Sequence, residues 1–466
     1  MKFKSTMILL GLFVGLILYV YFYEVIGGRK RTQETEEKKN IFHLKRDSVA
    51  TITVDRPEIR MTFEKREKDW WIKEPVNYKA DNSNVNSLLS QIEIADNEGV
   101  VSEKGEDLES FGLAPPQVKL YISLTSGKRD SLLIGNKNPV KNSVFARSSN
   151  SSEVFLTNYV MLDYMKKELM DYRDKQLLEF RRDDVNRIVL TYLNQVIELK
   201  KIGFNEWEIE KPIKDKAEYP EITSIFDKLL SEDTKIKKFI DEKPTDLNKY
   251  GLLKPAVKID LFLEKDASKK SLMIGSIERS SSKKDVSKSE ILNYAKIEVN
   301  EPIIGIDSSV ANLLLKKNLF IFRNKMVVDF LRDSVEKIVC DYKDSVFVCL
   351  KDTANIWYFG EDKKIRGDDT KIDDIITKFR SIRALKFIDY NDGNISLYGL
   401  NKPKMEFVFK KRDDKEVERL GFGKIEGNKI YLINRTKRMI YLIDSEYFYD
   451  LKLRKSDLIK QEEKKV

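Results

Sequence analysis

Three stretches of this chain share one pattern (aromatic, Gly, Leu, two free positions, Pro), and no other feature limits the fold as strongly. They are Phe111-Gly112-Leu113-Ala114-Pro115-Pro116, Tyr250-Gly251-Leu252-Leu253-Lys254-Pro255 and Tyr398-Gly399-Leu400-Asn401-Lys402-Pro403. Their flanks repeat in step, which implies one module used three times. A length of 466 residues agrees with three domains at roughly 150 residues each. Units of about 140 residues far exceed the repeats of a solenoid, so they read as domains in tandem.

Each copy opens alike: residues 41–49, 177–185 and 327–335 align position by position. Alternating apolar residues then indicate a β-hairpin with one buried face. Ile52 and Val54 go with Met61 and Phe63, Ile188 and Leu190 with Ile197 and Leu199, and Ile338 and Cys340 with Phe347 and Cys349. A Trp follows each time (Trp70, Trp207, Trp357), read as core packing at the sheet edge, with Pro75 and Pro212 ending the strand in the first two copies. The apolar period then changes to that of a helix: Val85, Leu88, Leu89 and Ile92; Ile222, Ile225, Phe226 and Leu229; Ile372, Ile375, Ile376 and Phe379. One amphipathic helix per copy should therefore lie on the sheet.

In the shared turn, Asp107, Asp246 and Asn394 are placed to cap a helical turn that the Gly ends in the left-handed conformation, with the Leu packing back. Pro116, Pro255 and Pro403 set the entry to new strands that run through Gly135, Gly275 and Gly423. Closing segments end in Tyr172-Arg173-Asp174-Lys175, Phe322-Arg323-Asn324-Lys325 and, more loosely, Leu453-Arg454-Lys455. Residues 279–289, rich in Ser and Lys, read as a solvated hairpin tip.

Met7 to Tyr23 is an uncharged apolar run, and with Val25 and Ile26 it reaches about 20 positions, enough to span a bilayer core. Tyr19, Tyr21 and Tyr23 suit an interfacial belt. The run is too long for a signal-peptide core, and Glu24 to Arg29 make a poor cleavage site. Lys2 and Lys4 lie on one side and Arg29, Lys30 and Arg31 on the other, so charge alone decides orientation only weakly. The expected fold is thus α+β: an N-terminal transmembrane helix, then three tandem homologous modules of antiparallel hairpins, each with one amphipathic helix on its sheet. The expected boundaries are 1–26 for the anchor, 27–40 for a flexible tether, 41–176, 177–325 and 326–455 for the modules, and 456–466 for a charged tail.

Repetition also tests candidate sites. The single histidine, His43, aligns with Glu179 and Asp329, which suits a solvated position better than a general base. Asp47, Asp183 and Asp333 recur after an Arg and read as turn residues. Asp368, Asp369, Asp373 and Asp374 open a helix and lack the spacing of a calcium loop. The turns are not phosphate loops, having one Gly, no Lys-Ser/Thr and a Pro that removes a donor. With 85 basic against 76 acidic residues and a net charge of +9, the basic excess is thinly spread, so no nucleic-acid partner is expected. One His and two Cys argue against a His- or Cys-based metal site. Counting from a turn at Asp344-Ser345, Cys340 faces Cys349, as two reduced core thiols or as a disulfide formed outside the cytoplasm. No catalytic residue, cofactor or small-molecule substrate is assigned.

The succession Trp70, Pro75, Ala80-Asp81, Leu88-Leu89, Asp107-Leu108, Phe111-Gly112-Leu113, Pro116, Leu133-Ile134-Gly135 and Phe145-Ala146-Arg147 resembles the DUF4340 family, a bacterial domain of unknown function. Copies one and two carry the resemblance well. Copy three carries it in degraded form, lacking the Pro after Trp357 and holding Tyr431-Leu432 in place of the Ala-Arg step. The resemblance implies single-pass anchoring in the cytoplasmic membrane, the bulk of the chain on the outer, periplasmic side, and ABC-type or gliding-type transport subunits as partners. It supplies no activity. The expected function is a non-enzymatic envelope protein, structural or accessory to such a complex, with an envelope glycan- or lipid-binding module as the alternative.

Overall fold

The computed structural model describes residues 13–21, 39–278, 292–298, 301–360, 362–391 and 393–460. It corrects the expected fold class. Each copy is a nine-stranded antiparallel sheet with few helices, not a set of hairpins under one helix.

The first sheet comprises β1 (Val49–Asp55), β2 (Arg60–Arg66), β3 (Asp69–Glu74), β4 (Tyr78–Lys79), β5 (Gly99–Ser102), β6 (Val118–Leu124), β7 (Arg129–Lys137), β8 (Ser143–Ser148) and β9 (Val154–Asn158). The second comprises β10 (Val185–Tyr192), β11 (Val196–Gly203), β12 (Glu206–Lys211), β13 (Asp215–Lys216), β14 (Lys238–Asp241), β15 (Val257–Leu263), β16 (Lys269–Glu278), β17 (Leu292–Ile297) and β18 (Ile303–Asp307). The third comprises β19 (Lys337–Asp341), β20 (Val346–Lys351), β21 (Trp357–Phe359), β22 (Ile365–Arg366), β23 (Lys386–Ile388), β24 (Met405–Lys410), β25 (Glu416–Glu426), β26 (Lys429–Asn434) and β27 (Met439–Asp444). The strand order is the same three times: β4-β3-β2-β1-β6-β7-β8-β9-β5 recurs as β13-β12-β11-β10-β15-β16-β17-β18-β14 and as β22-β21-β20-β19-β24-β25-β26-β27-β23.

The extra strands explain the correction. The last strand of each meander is joined by the short strand that follows the helix, so β5, β14 and β23 pair with β9, β18 and β27 at the far edge. Val100, Phe239 and Phe387 hold equivalent places there, opposite Phe155, Ile304 and Tyr441. These edge strands are too short to show an alternating pattern.

One helix per copy packs on its sheet: α1 (Asn82–Glu93), α4 (Tyr219–Leu230) and α7 (Asp369–Ser381). Val85, Leu88, Leu89 and Ile92 of α1 are fully buried in the first core, as are Ile372, Ile376 and Phe379 of α7 in the third. Asp81 and Asp368 cap these two helices through the backbone N–H groups of Asn84 and Lys371. Shorter helices close each copy: α2 (Tyr159–Met165) and α3 (Leu169–Tyr172), α5 (Ser308–Lys316) and α6 (Leu319–Phe322), α8 (Glu446–Asp450) and α9 (Lys455–Leu458).

By internal packing the chain divides into two units. One is Met1–Leu177, Glu232–Leu247 and Ile277–Asp307; the other is Leu178–Ser231, Asn248–Ser276 and Ser308–Val466.

The expected transmembrane helix is not found among the described residues. Residues 13–20 of the apolar run are helical. No helix among the described residues is long and apolar enough to cross a membrane. The rest of the Met7–Tyr23 run, positions 27–38 of the tether, the hairpin tip at 279–289 and positions 461–466 lie outside the described residues.

Candidate functional site

The shared turn works as a clasp on its own sheet. Gly112, Gly251 and Gly399 adopt φ of 67°, 66° and 66°, the left-handed region that favours glycine. The aromatic residue before each directs its carbonyl at the strand glycine: a Cβ on Gly135, Gly275 or Gly423 would overlap the carbonyl oxygen of Phe111, Tyr250 or Tyr398. Leu113, Leu252 and Leu400 are buried behind the turn. The residues following Pro116, Pro255 and Pro403 donate their N–H groups to Ile134, Ile274 and Phe422 at 2.9, 2.9 and 2.7 Å. The motif is architecture and brings no reactive group together.

Trp70, Trp207 and Trp357 are buried, and the indole N–H groups of Trp70 and Trp357 donate to Asn86 at 3.1 Å and Asp373 at 2.9 Å. They offer no open face for a sugar. His43 is exposed at a φ of 45°, its backbone N–H bonded to the Asn40 side chain. Asp47, Asp183 and Asp333 sit in exposed 3-10 turns ahead of β1, β10 and β19.

The register expected for the cysteines is corrected. Cys340 faces Phe347, and Cys349 faces Ile338. The turn is centred on Lys343-Asp344, with the Tyr342 N–H donating to the Ser345 carbonyl and Lys343 at a φ of 70°. The two cysteines are therefore diagonal neighbours on one face, a relationship that sets Cα atoms roughly 7–8 Å apart, beyond the usual span of a disulfide. Both are free and fully buried, and burial pushes the Cys349 thiol up to about 12.

The joints between successive copies hold side chains whose significance the sequence did not reveal. In the first, the Arg173 guanidinium lies 3.4 Å from the ring centre of Phe239 on β14 and 4.5 Å from that of Tyr78 on β4. It also bonds Glu242 at 2.9 Å. In the second, Arg323 lies 3.6 Å from the ring centre of Phe387 on β23 and donates from Nε to Asp215 on β13 at 2.7 Å. Arg383 meets Glu218 at 2.8 Å beside it. The backbone bridges Ala80–Arg173, Ala217–Arg323 and Gly367–Ile459 show that Ile459 holds the equivalent place in the third copy. The third copy thus closes at Leu458-Ile459-Lys460 and not at Leu453-Arg454-Lys455, with Leu458 fully buried.

Beside the second joint lies a cleft of about 850 Å³ whose lining includes Arg323, Asp329, Phe387, Lys437 and Tyr441. Its polar side is a charge chain. Lys216 meets Asp329 at 2.8 Å, Lys437 meets Asp329 at 3.5 Å, and Lys437 lies 3.9 Å from the buried Glu418. Asn434, wholly buried, donates to Glu418 and to the Val327 carbonyl, the latter at 3.0 Å. Burial pushes the Glu418 carboxyl above its usual range despite Lys437 and Asn434. Partial burial also acts to raise Asp329, yet the bond from Lys216 and the charge of Lys437 hold it below the usual range. Glu418 and Asn434 lie on neighbouring strands, and neither stands in a recognisable motif. The only signal in the sequence was a pair of polar residues within strands otherwise apolar on that face.

Among the described residues there is no group of three or more His, Cys, Asp or Glu able to hold a metal ion. The chain matches the family described as Domain of unknown function (DUF4340) over residues 70–232 and 357–466, two segments that open on the equivalent Trp70 and Trp357. The third copy is thus within the match from Trp357 onward, while residues 233–356, which hold the later part of the second copy and the opening strands of the third, lie outside it. No curated protein and no solved structure matches the chain.

Proposed function

The chain belongs to the DUF4340 family, and on that premise we propose that it is a non-enzymatic structural or accessory protein of the bacterial envelope. It works beside an ABC-type or gliding-type transport assembly at the cytoplasmic membrane, with its bulk on the outer side. The observation that carries this reading is the joint. Arg173 and Arg323 each place a largely buried cation on a ring of the next copy, an arrangement suited to holding folded modules in fixed succession. The ionisable groups around the cleft serve the same end: Asp329 is shared by Lys216 and Lys437, and Asp215 holds Arg323. The apolar sequence Met7 to Tyr23 supports placement at a membrane.

Crosslinking in cells followed by detergent extraction and affinity purification tests the reading. Transport subunits recovered with the chain support it; recovery of the chain alone after crosslinking contradicts it. The cleft favours a second reading, binding of an envelope glycan or lipid against Phe387 and Tyr441. Phe387 has a counterpart in Phe239, however, so this aromatic is not peculiar to the cleft. A glycan pull-down or lipid overlay separates the two readings.

A further inference from the structure

The two joints within the chain use matching faces. The leading copy supplies its short edge strand and closing residue (β4 with Arg173, then β13 with Arg323), and the following copy supplies its far-edge strand, β14 or β23. Two faces of the same kind have no neighbouring sheet on them among the described residues: β22 with Ile459 and Lys460, and β5 with the residues before it. Their exposure reflects this. Val100 and Val101 on β5 are 47% and 45% exposed, whereas the equivalent Phe239 and Phe387 are half-buried. Ile365 on β22 is 37% exposed, whereas the equivalent Tyr78 is 7% exposed.

The side chains on these two faces have changed together. Where the joints set Arg173 on Phe239 and Arg323 on Phe387, the open faces carry Ile459 and Val100, an apolar pair in place of a cation on a ring. The charges on the β5 side are reversed as well. Arg383 pairs with Glu218 across the second joint, and Lys235, paired with Glu232, holds the equivalent place at the first. At the matching places stand Asp96 on one open face and Lys460 on the other, with Glu98 where β14 is preceded by Lys237. Asp368 keeps the acid of Asp81 and Glu218 and is engaged by the Lys371 N–H.

We propose that the β22 face of one chain docks on the β5 face of a second copy, a head-to-tail contact built like the two joints within each chain. The contact is heterologous, so it propagates into a linear or ring assembly and does not stop at a two-fold dimer. It does not rest on the transport-partner reading.

The test uses the full chain in detergent, with sedimentation velocity over a concentration series and interchain crosslinking of a variant carrying Val100→Cys and Ile459→Cys. The expected results are concentration-dependent oligomers and a crosslink between position 100 of one copy and 459 of another. Asp96→Lys and Lys460→Glu should each weaken association by about two- to fivefold, the range of a rim charge pair, and the double reversal should restore it. A chain that sediments as a monomer throughout, or one whose crosslinks join only position 100 to position 100, overturns the proposal. So does association that ignores both charge reversals.

Discussion

The carbonyl oxygen of Phe111 accepts the backbone N–H of Asn136 at 2.8 Å while lying directly over Gly135. Tyr398 does the same to Lys424 at 2.7 Å, over Gly423. A methyl group at either glycine displaces the clasp or the strand. Gly135→Ala and Gly423→Ala should each destabilise the chain by about 2–4 kcal/mol, in the range of backbone displacement at a packed site. Gly393→Ala, where φ is unstrained and only the Asn391 side chain lies nearby, should stay within about 0.5 kcal/mol. Denaturant midpoints of the three variants check the ordering.

The cysteines make a second prediction. Cys340 and Cys349 are free, buried and raised in pKa by that burial, so the folded chain should resist alkylation at neutral pH. Mass spectrometry of protein unfolded and alkylated without reduction should show both thiols labelled. A mass lacking both labels would mean that the strands shift to bring diagonal neighbours into a bond.

Glu418 should leave a mark on the pH dependence of stability. Its folded pKa is raised from 4.5, mainly by burial, so the folded chain holds this proton more tightly than the unfolded chain does. The charged form is therefore a cost above the folded pKa, and that cost fades as the pH falls toward 4.5. Asp329 acts in the opposite sense: held below 3.8, it contributes stability that is present above that value and lost as the pH falls through its folded pKa. Glu418→Gln keeps an acceptor for Asn434 and should stabilise the chain at neutral pH. That gain should shrink on acidification toward 4.5. Thermal midpoints of both proteins across that range decide it, and a constant difference contradicts the assignment.

The sequence made the periodic parts of the fold legible. The hairpins with Ile52 opposite Phe63 and Ile188 opposite Leu199, and the stripes of α1, α4 and α7, are long enough for the spacing of apolar residues to identify them. Short elements left no such trace. β4 and β13 are two residues each, and β5 leaves Val100 and Val101 exposed, so the sheets were undercounted. The cysteine register failed because a Lys at positive φ is an uncommon choice for a turn, and Lys343 takes that place. Arg173 and Arg323 stood in plain view as repeated residues. Their partners Phe239 and Phe387 lie more than 60 residues further on, a separation that only the folded chain reveals. Glu418 and Asn434 are only 16 residues apart, but neither stands in a motif that marks the pair.

The account depends on the joints coupling one copy to the next through Arg on Phe. A double-mutant cycle with Arg323→Ala and Phe387→Ala, measured by denaturation of the full chain, isolates that contact from the exposure of Asp215 left by the Arg change alone. The account predicts a coupling energy of about 1–2 kcal/mol, the size of a largely desolvated cation on an aromatic ring, and the same for Arg173 with Phe239. Additive effects at both joints would contradict it.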